Sequence, residues 1–428
     1  MIETITPAGA LSGTVTVPGD KSISHRACML ASMARGESRI SNLSPCSDVR
    51  STIECMSKLG AVFKNQSGHM TVTSPGMEAF SRPETPLDAG NSGTTARLLA
   101  GICAGLPFLS EIRGDASLHK RPMQRIITPL EQMGASIGSS GSALPLTIRG
   151  GTLQPAHYSL PVASAQIKSC IMLAALSARG ETVIREPRPS RDHTERMFPE
   201  FGLQVRAGDS MIWVPGPQTP GPADIQVPGD MSSAAFFIAA ALMVPGSRIF
   251  MPNVGLNPGR TGMVSILLDM GARITVTGRR IQNNEPAGDL TAFSGTLSGT
   301  EISGPLIPGS IDEIPILAVL ATQARGETII RDAGELRHKE TDRIAAVATN
   351  LQAMRADVEV FSNGLIIPGP QQLKGAVLES FGDHRIAMAF AVAGLAAAGK
   401  TVIKNAECTA VSYPGFFNTL KGLVNEQQ

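Results

Sequence analysis

Val17–Ile40 reads VPGDKSISHRACMLASMARGESRI. An apolar residue, Pro and Gly lead into a polar run: Asp20, Lys21, Ser22, Ser24, His25 and Arg26. A run of small apolar residues follows at 27–34, then Arg35-Gly36-Glu37. The polar run reads as a helix opening and the Ala/Met run as its buried body; Gly36 ends it and a strand begins at Arg39-Ile40. The same order returns at DAGNSGTTARLLAGICAGLPFLSEI (88–112), LPVASAQIKSCIMLAALSARGETVI (160–184), VPGDMSSAAFFIAAALMVPGSRI (227–249), IPGSIDEIPILAVLATQARGETII (307–330) and FGDHRIAMAFAVAGLAAAGKTVI (381–403). Successive starts lie about 65–80 residues apart, longer than the usual solenoid periods. A second helix in each unit ends on a similar phrase: MSKLGAVF, LEQMGASI, FPEFGLQV, LLDMGARI, LQAMRADVEV. The sixth unit is cut short at Phe417-Asn418-Thr419-Leu420. One unit therefore reads strand, helix, strand, helix, strand, strand, and six of them make an α/β protein.

A chain of 428 residues is expected to hold two or more domains. Pro and Gly concentrate in VPGPQTPGPADIQVPGD (214–230), which reads as a crossing between domains. Residues 1–12 with 228–428, carrying units four to six, are expected to form one domain; 13–227, carrying units one to three, the other. The active site is expected in the cleft between them. The 42% hydrophobic fraction and the excess of Ala and Gly over aromatics suit closely packed buried helices. A net charge of +1 argues against a nucleic-acid or membrane surface, so any anion site must be a local cluster. The six Cys lack CxxC spacing and read as reduced structural thiols of a cytoplasmic protein. MIETITPAG has neither a basic n-region nor an apolar h-region, and no apolar run reaches a membrane span.

The helix openings carry the chemistry. Unit one supplies Lys21, Ser22 and Arg26; unit two Asn91, Ser92, Gly93, Thr94 and Arg97; unit three Ser164, Gln166 and Lys168; unit five Asp312 and Glu313; unit six Asp383, His384 and Arg385. Helix N-termini present unpaired N–H groups and partial positive charge, so cations placed there suit phosphates and carboxylates. The unit-four opening, Asp230-Met231-Ser232-Ser233, has no cation and reads as structural. Arg121 before a helix capped by Pro122, Arg191 in SRDHTE, and Lys339, Glu340 and Arg343 in RHKETDR add further charge. Lys339 and Arg343 share a face if that run is helical. GLAAAGKT (394–401) matches the P-loop pattern, but here the Gly ends a helix and Lys400-Thr401 enters a strand, the reverse of a working P-loop. His25, His193 and His384 sit beside Arg or Lys, which suits anions better than a metal.

GDKSISHR (19–26), GNSGTTARL (90–98), LHKRPM (118–123), SAQIK (164–168), SRDHTE (190–195), DEIP (312–315), KETDR (339–343) and GDHRIAM (382–388), in this order, resemble the 5-enolpyruvylshikimate-3-phosphate (EPSP) synthase family over nearly the whole chain. SAQ and RDHTE are nearer its second class. The resemblance implies two similar domains, each of three βαβαββ units about a pseudo-threefold axis, an inside-out α/β barrel. It implies transfer of the enolpyruvyl group of phosphoenolpyruvate to shikimate 3-phosphate, through a tetrahedral intermediate, with no metal or cofactor. Carried over by motif, Lys21, Ser22, Arg26, Ser164, Ala165, Gln166, Arg191, Asp312 and Lys339 would bind shikimate 3-phosphate. Lys21, Asn91, Gly93, Arg121, Gln166, Arg343 and Arg385 would bind phosphoenolpyruvate, the last two holding its carboxylate. Asp312, Glu340 and Lys21 would carry the proton transfers. The expected partners are these two small molecules, with glyphosate a candidate inhibitor and no nucleic acid or membrane; the expected assembly is a monomer. Shikimate 3-phosphate would pull the domains together.

Two positions stand out against the family. Val411 replaces a Lys that one branch of the family has in its C-terminal run, and Gly93 is kept where some glyphosate-resistant members have Ala. The rival of the same fold, the UDP-N-acetylglucosamine enolpyruvyl transferase, has a reactive Cys shortly before its loop Arg; here RGDASLHKR (113–121) has none. A non-catalytic anion-binding protein would have no need of both Asp312 and Glu340 among the cations.

Overall fold

The computed structural model describes residues 1–66 and 68–424. The chain separates into two compact units. One comprises Met1–Pro18, Gly229–Arg280 and Pro286–Gln428; the other, Gly19–Pro228 with Ile281–Glu285.

Among the described residues each unit has three sheets, built to one plan. In the second unit, Leu87–Asp88 pairs parallel with Leu109–Arg113, which pairs antiparallel with Ala143–Arg149, and Ser136–Ser140 takes the outer edge. His157–Ser159, Gly180–Arg185, Met211–Gly216 and Arg206–Gly208 repeat that order. So do Glu301–Ile302, Gly326–Ile330, Gly364–Gly369 and Glu359–Phe361 in the first unit.

The strands preceding the two VPGD phrases are exchanged. Ser12–Thr14 comes just before repeat one, yet it pairs parallel with Arg248–Gly255 of repeat four. Asp224–Gln226 comes just before repeat four, yet it pairs parallel with Gly36–Ser41 of repeat one. Residues 13–18 therefore belong with units four to six, not with 13–227 as the sequence suggested, because their backbone is hydrogen-bonded into that sheet. Gly19 is required at the passage after the first of these strands: a Cβ there would lie 1.8 Å from the carbonyl oxygen of Asn42. The shortened sixth repeat is completed from the other end of the chain. Ile2–Ile5 pairs antiparallel with Thr401–Lys404, which pairs parallel with Val377–Glu379. Gly394 lies inside the helix His384–Ala396 and Thr401 opens that strand, so GLAAAGKT runs helix to strand and is no P-loop.

The first helix of each repeat is buried nearly all round. These helices are Lys21–Met33, Gly93–Ala104, Ala165–Ala175, Met231–Met243, Ile314–Ala321 and His384–Ala396. Every residue of Met231–Met243 is buried, which explains its run of Ala and Phe with no polar face. In the first unit the three such helices pack against one another. In the second, Gly93–Ala104 packs on both of its counterparts, and a Cβ at Gly101 would lie 2.2 Å from the carbonyl oxygen of Cys170. The excess of small residues is thus a requirement of close helix contact. Helix Lys21–Met33 ends three residues before Gly36, whose φ of +123° opens the next strand. All six Cys are free thiols, five of them buried, and burial pushes Cys55 and Cys103 up to about 12. No described helix is long and apolar enough to cross a membrane.

Candidate active site

In the second unit the helix openings form a connected polar cluster. Asp20 caps Lys21–Met33 by accepting from the Ile23 N–H at 2.9 Å. Lys21 Nζ lies 2.8 Å from Asp48, on the following helix Ser47–Leu59. Ser22 is half-buried beside it. Arg26 is almost fully buried: Nε donates to Thr194 at 2.7 Å, Nη2 to Ser169 at 2.6 Å and Nη1 to the Ser22 carbonyl at 2.8 Å. Burial brings its guanidinium down to about 10, opposed by Glu195, Asp20 and Glu285, so it keeps its charge at neutral pH. Arg191 is close enough for its charge to push Arg26 down further.

The second repeat adds two side-chain chains. Arg121 donates to Asn91 at 2.9 Å, and Asn91 to Asp115 at 2.7 Å. Arg97 donates to Gln166 at 2.7 Å, and Gln166 to Thr94 at 3.0 Å. Gly93, the first residue of its helix, lies against both guanidinium groups: a Cβ there would be 2.7 Å from Arg97 Nη1 and 3.5 Å from Arg121 Nη1. Ser164 caps the third opening and accepts from the Ile167 N–H; Ala165 and Gln166 follow, half-buried. Arg121 precedes a helix that starts at Gln124, so Pro122 lies outside it and is not its cap.

Lys168 does not line that opening. It is 1% exposed and bound to Glu195 at 2.6 Å and Glu186 at 2.9 Å. The three His are also buried, because buried helices carry them. His193 bonds Glu285 at 2.7 Å, and His25 bonds Thr52 at 2.7 Å.

In the first unit, charged residues from two repeats, the fifth and the sixth, converge on Asp312. Lys339 lies 3.3 Å from its carboxylate, Arg343 3.5 Å and Arg385 3.9 Å. Asp312 and Glu313 precede the helix, which starts at Ile314 because Pro315 suits its first turn. Arg385 Nη1 donates to the Asp312 carbonyl at 2.8 Å and to Glu313 at 3.2 Å. Ser232, in the unit-four opening, donates to the same Glu313 carboxylate. That opening is thus structural in a specific sense: it holds Glu313, while Asp230 holds Arg260 at 2.5 Å.

Arg343 is 1% exposed and gathers three carboxylates. Asp383 takes the fork, at 2.7 Å from Nε and 3.3 Å from Nη2; Glu340 lies 2.7 Å from Nη2. Burial acts against its charge, but Asp383, Glu340 and Asp312 outweigh that and hold it above its ordinary range. The bidentate grip expected on a substrate carboxylate is therefore engaged by Asp383, which leaves Nη1 toward Asp312. Lys339 and Arg343 do not share a helical face, since the helix begins at Arg343 with Asp342 as its cap; they meet through Asp312 instead. Sequence reading missed Asp48, Thr194, Ser169 and Asp383 as partners of these cations. Only Asp383 carried a signal, its place beside His384-Arg385.

The family model described as EPSP synthase (3-phosphoshikimate 1-carboxyvinyltransferase) matches residues 5–420. The chain belongs to the EPSP synthase family. A 3-phosphoshikimate 1-carboxyvinyltransferase of Bacillus thuringiensis is 48% identical over 415 residues, spanning 96% of this chain and 97% of that one. One of Brevibacillus brevis is 50% identical over 415 residues, with the same coverage. The solved EPSP synthase of Acinetobacter baumannii superposes with a TM-score of 0.89 at 40% identity, covering 99% of this chain and 98% of its own. The two-domain α/β architecture is that of the EPSP synthase fold.

Proposed function

We propose that the chain transfers the enolpyruvyl group of phosphoenolpyruvate to the 5-hydroxyl of shikimate 3-phosphate and releases phosphate, the EPSP synthase reaction of aromatic amino-acid biosynthesis. Family membership supports the overall reaction, and the geometry supports the division of roles. Lys21, Ser22, Arg26, Ser164, Ala165, Gln166 and Arg191 bind shikimate 3-phosphate. Lys21, Asn91, Gly93, Gln166 and Arg121 bind phosphoenolpyruvate, with Arg343 and Arg385 toward its carboxylate.

The observation that carries the catalytic assignment is the meeting of Asp312 and Glu340 on the buried guanidinium of Arg343. Two carboxylates from separate segments are held in fixed places, as a reaction needs when a proton leaves oxygen and protons move at carbon. The 5-hydroxyl oxygen adds to C2 of phosphoenolpyruvate and gives its proton to Asp312, while C3 gains a proton from Glu340 or Lys21. The intermediate then breaks its C2–O bond to phosphate as C3 returns a proton to Glu340. Lys339, beside Asp312, takes part in binding the shikimate hydroxyls. The cations stabilise the negative charge of the intermediate. An assay of phosphate release with both substrates tests the reaction; no release from the folded protein overturns it.

A further inference from the structure

Lys168 is the largest departure from the expected site and is not idle. Lys is rarely fully buried unless its charge is paired. Its two carboxylates, and the Ser190 carbonyl at 3.4 Å, all lie on the segment 186–195. Glu186 adjoins the strand Gly180–Arg185, and Glu195 lies in the helix His193–Met197. Glu186 also accepts from the Ser190 hydroxyl. The segment between these anchors carries Arg191. The next residue on the Lys168 helix, Ser169, meets Thr194 at 2.6 Å, and both accept from Arg26. Two consecutive residues of helix Ala165–Ala175 therefore dock the segment onto the helix whose opening supplies Ser164 and Gln166.

We infer that Lys168 is a positioning residue: it clamps both ends of the 186–195 segment to helix Ala165–Ala175 and so fixes Arg191 and Arg26 for the phosphorylated substrate. The inference rests on the reading that this opening binds shikimate 3-phosphate. One ammonium between two carboxylates can hold two points of the chain at once, which a neutral donor would do weakly. Arg191 is on a loop without regular structure of its own, so its place depends on these anchors.

The test is a cycle of variants. Lys168→Met removes the clamp but leaves two buried carboxylates without their cation. Glu186→Ala is therefore measured beside it; it frees one end of the segment and leaves a balanced Lys168–Glu195 pair. Steady-state constants for both substrates are measured for each, alone and combined with Arg191→Ala. Loss of a well-placed charged hydrogen bond should raise the KM for shikimate 3-phosphate about tenfold, with the KM for phosphoenolpyruvate little changed. Arg191→Ala should cost its full effect in the wild type and little in a clamp variant, because a misplaced Arg191 has nothing to lose. A clamp variant with wild-type KM, or the same Arg191→Ala cost in both backgrounds, overturns the positioning role. Arg191→Ala without effect in the wild type overturns the underlying site assignment instead.

Discussion

At the residue scale, His25 is the clearest case of a group held in one state by its surroundings. It is fully buried; Nδ1 meets Thr52, Thr52 meets Thr95 at 2.7 Å, and Thr95 meets Ser92 at 2.8 Å and the Asp48 carbonyl at 3.3 Å. A proton on Nδ1 lets each hydroxyl donate onward, so the chain runs from the imidazole toward Ser92 and Asp48. Burial, and then the charges of Lys21 and Arg26, push the imidazole well below its ordinary 6.5. Unfolded, it protonates near 6.5; folded, it does not until a lower pH. Within that window the unfolded chain binds one more proton, so this group removes stability as pH falls, by up to about 1.4 kcal/mol per pH unit. His25→Asn should flatten the pH dependence of the unfolding midpoint below 6.5 by up to that amount; an unchanged slope would contradict the neutral imidazole. Two further predictions concern the site. Asp312→Asn keeps a polar side chain beside Lys339 but cannot accept the hydroxyl proton, so kcat should fall about 100-fold or more with shikimate 3-phosphate still bound, as calorimetry would show. Gly93→Ala sets a methyl against Arg97 Nη1 and should shift that guanidinium off Gln166, raising the KM for phosphoenolpyruvate severalfold; equal constants would mean that Arg97 moves without consequence. The residue types of the site were legible from the repeated openings, but their side-chain directions were not. Lys168 stands four residues after Ser164, as an opening cation would, yet it turns toward Glu186 and Glu195, which nothing in SAQIK announces. Arg343 is likewise legible as a site cation, while its engagement by Asp383 depends on a contact 40 residues away.

At the element scale, the six first helices were legible because a polar opening followed by an Ala-rich body is a local pattern. Their ends were less so. The helix expected to open at Asp312 starts at Ile314, since two carboxylates occupied with Lys339, Arg343 and Arg385 sit more readily in the preceding turn. What local sequence could not show is how closely the helices approach. Gly101 is the test of that approach. Its alanine variant would place a methyl 2.2 Å from the Cys170 carbonyl, an oxygen fixed in the body of helix Ala165–Ala175. Backbone cannot swing aside as a side chain can, so the helices must separate and lose contact along their length. Overpacking of this kind costs about 1–3 kcal/mol. Gly101→Ala should lower the urea midpoint accordingly, and it should weaken shikimate 3-phosphate binding, because the same helices carry Gly93 and Ser164 at their openings. A midpoint equal to wild type would mean that the helices are less tightly apposed than the contact implies.

At the scale of the whole molecule, the six-fold repetition was legible, but the ownership of the strands before each VPGD was not. Both phrases follow a short strand, and pairing is decided by which second strand lies alongside. Ser12–Thr14 joins Arg248–Gly255, and Asp224–Gln226 joins Gly36–Ser41. This exchange predicts where the chain can be cut. A fragment 19–228 contains every strand of its three sheets, including Asp224–Gln226 with the buried Ile225. It should unfold in one cooperative transition. A fragment 13–222 is of similar length, but it gains a strand whose partner is absent and loses the one that covers the edge of Gly36–Ser41. It leaves Arg39–Ser41 without its parallel neighbour and lacks Ile225 and Val227, both buried in the intact protein. Burying Ile225 and Val227 is worth about 1.5–3 kcal/mol each, so 13–222 should be less stable than 19–228 by several kcal/mol. Urea melts of the two fragments, followed by far-ultraviolet circular dichroism, measure the difference. Equal midpoints would mean that the final strand is an ornament on a sheet already complete, and that the boundary between the units could as well be drawn at residue 13.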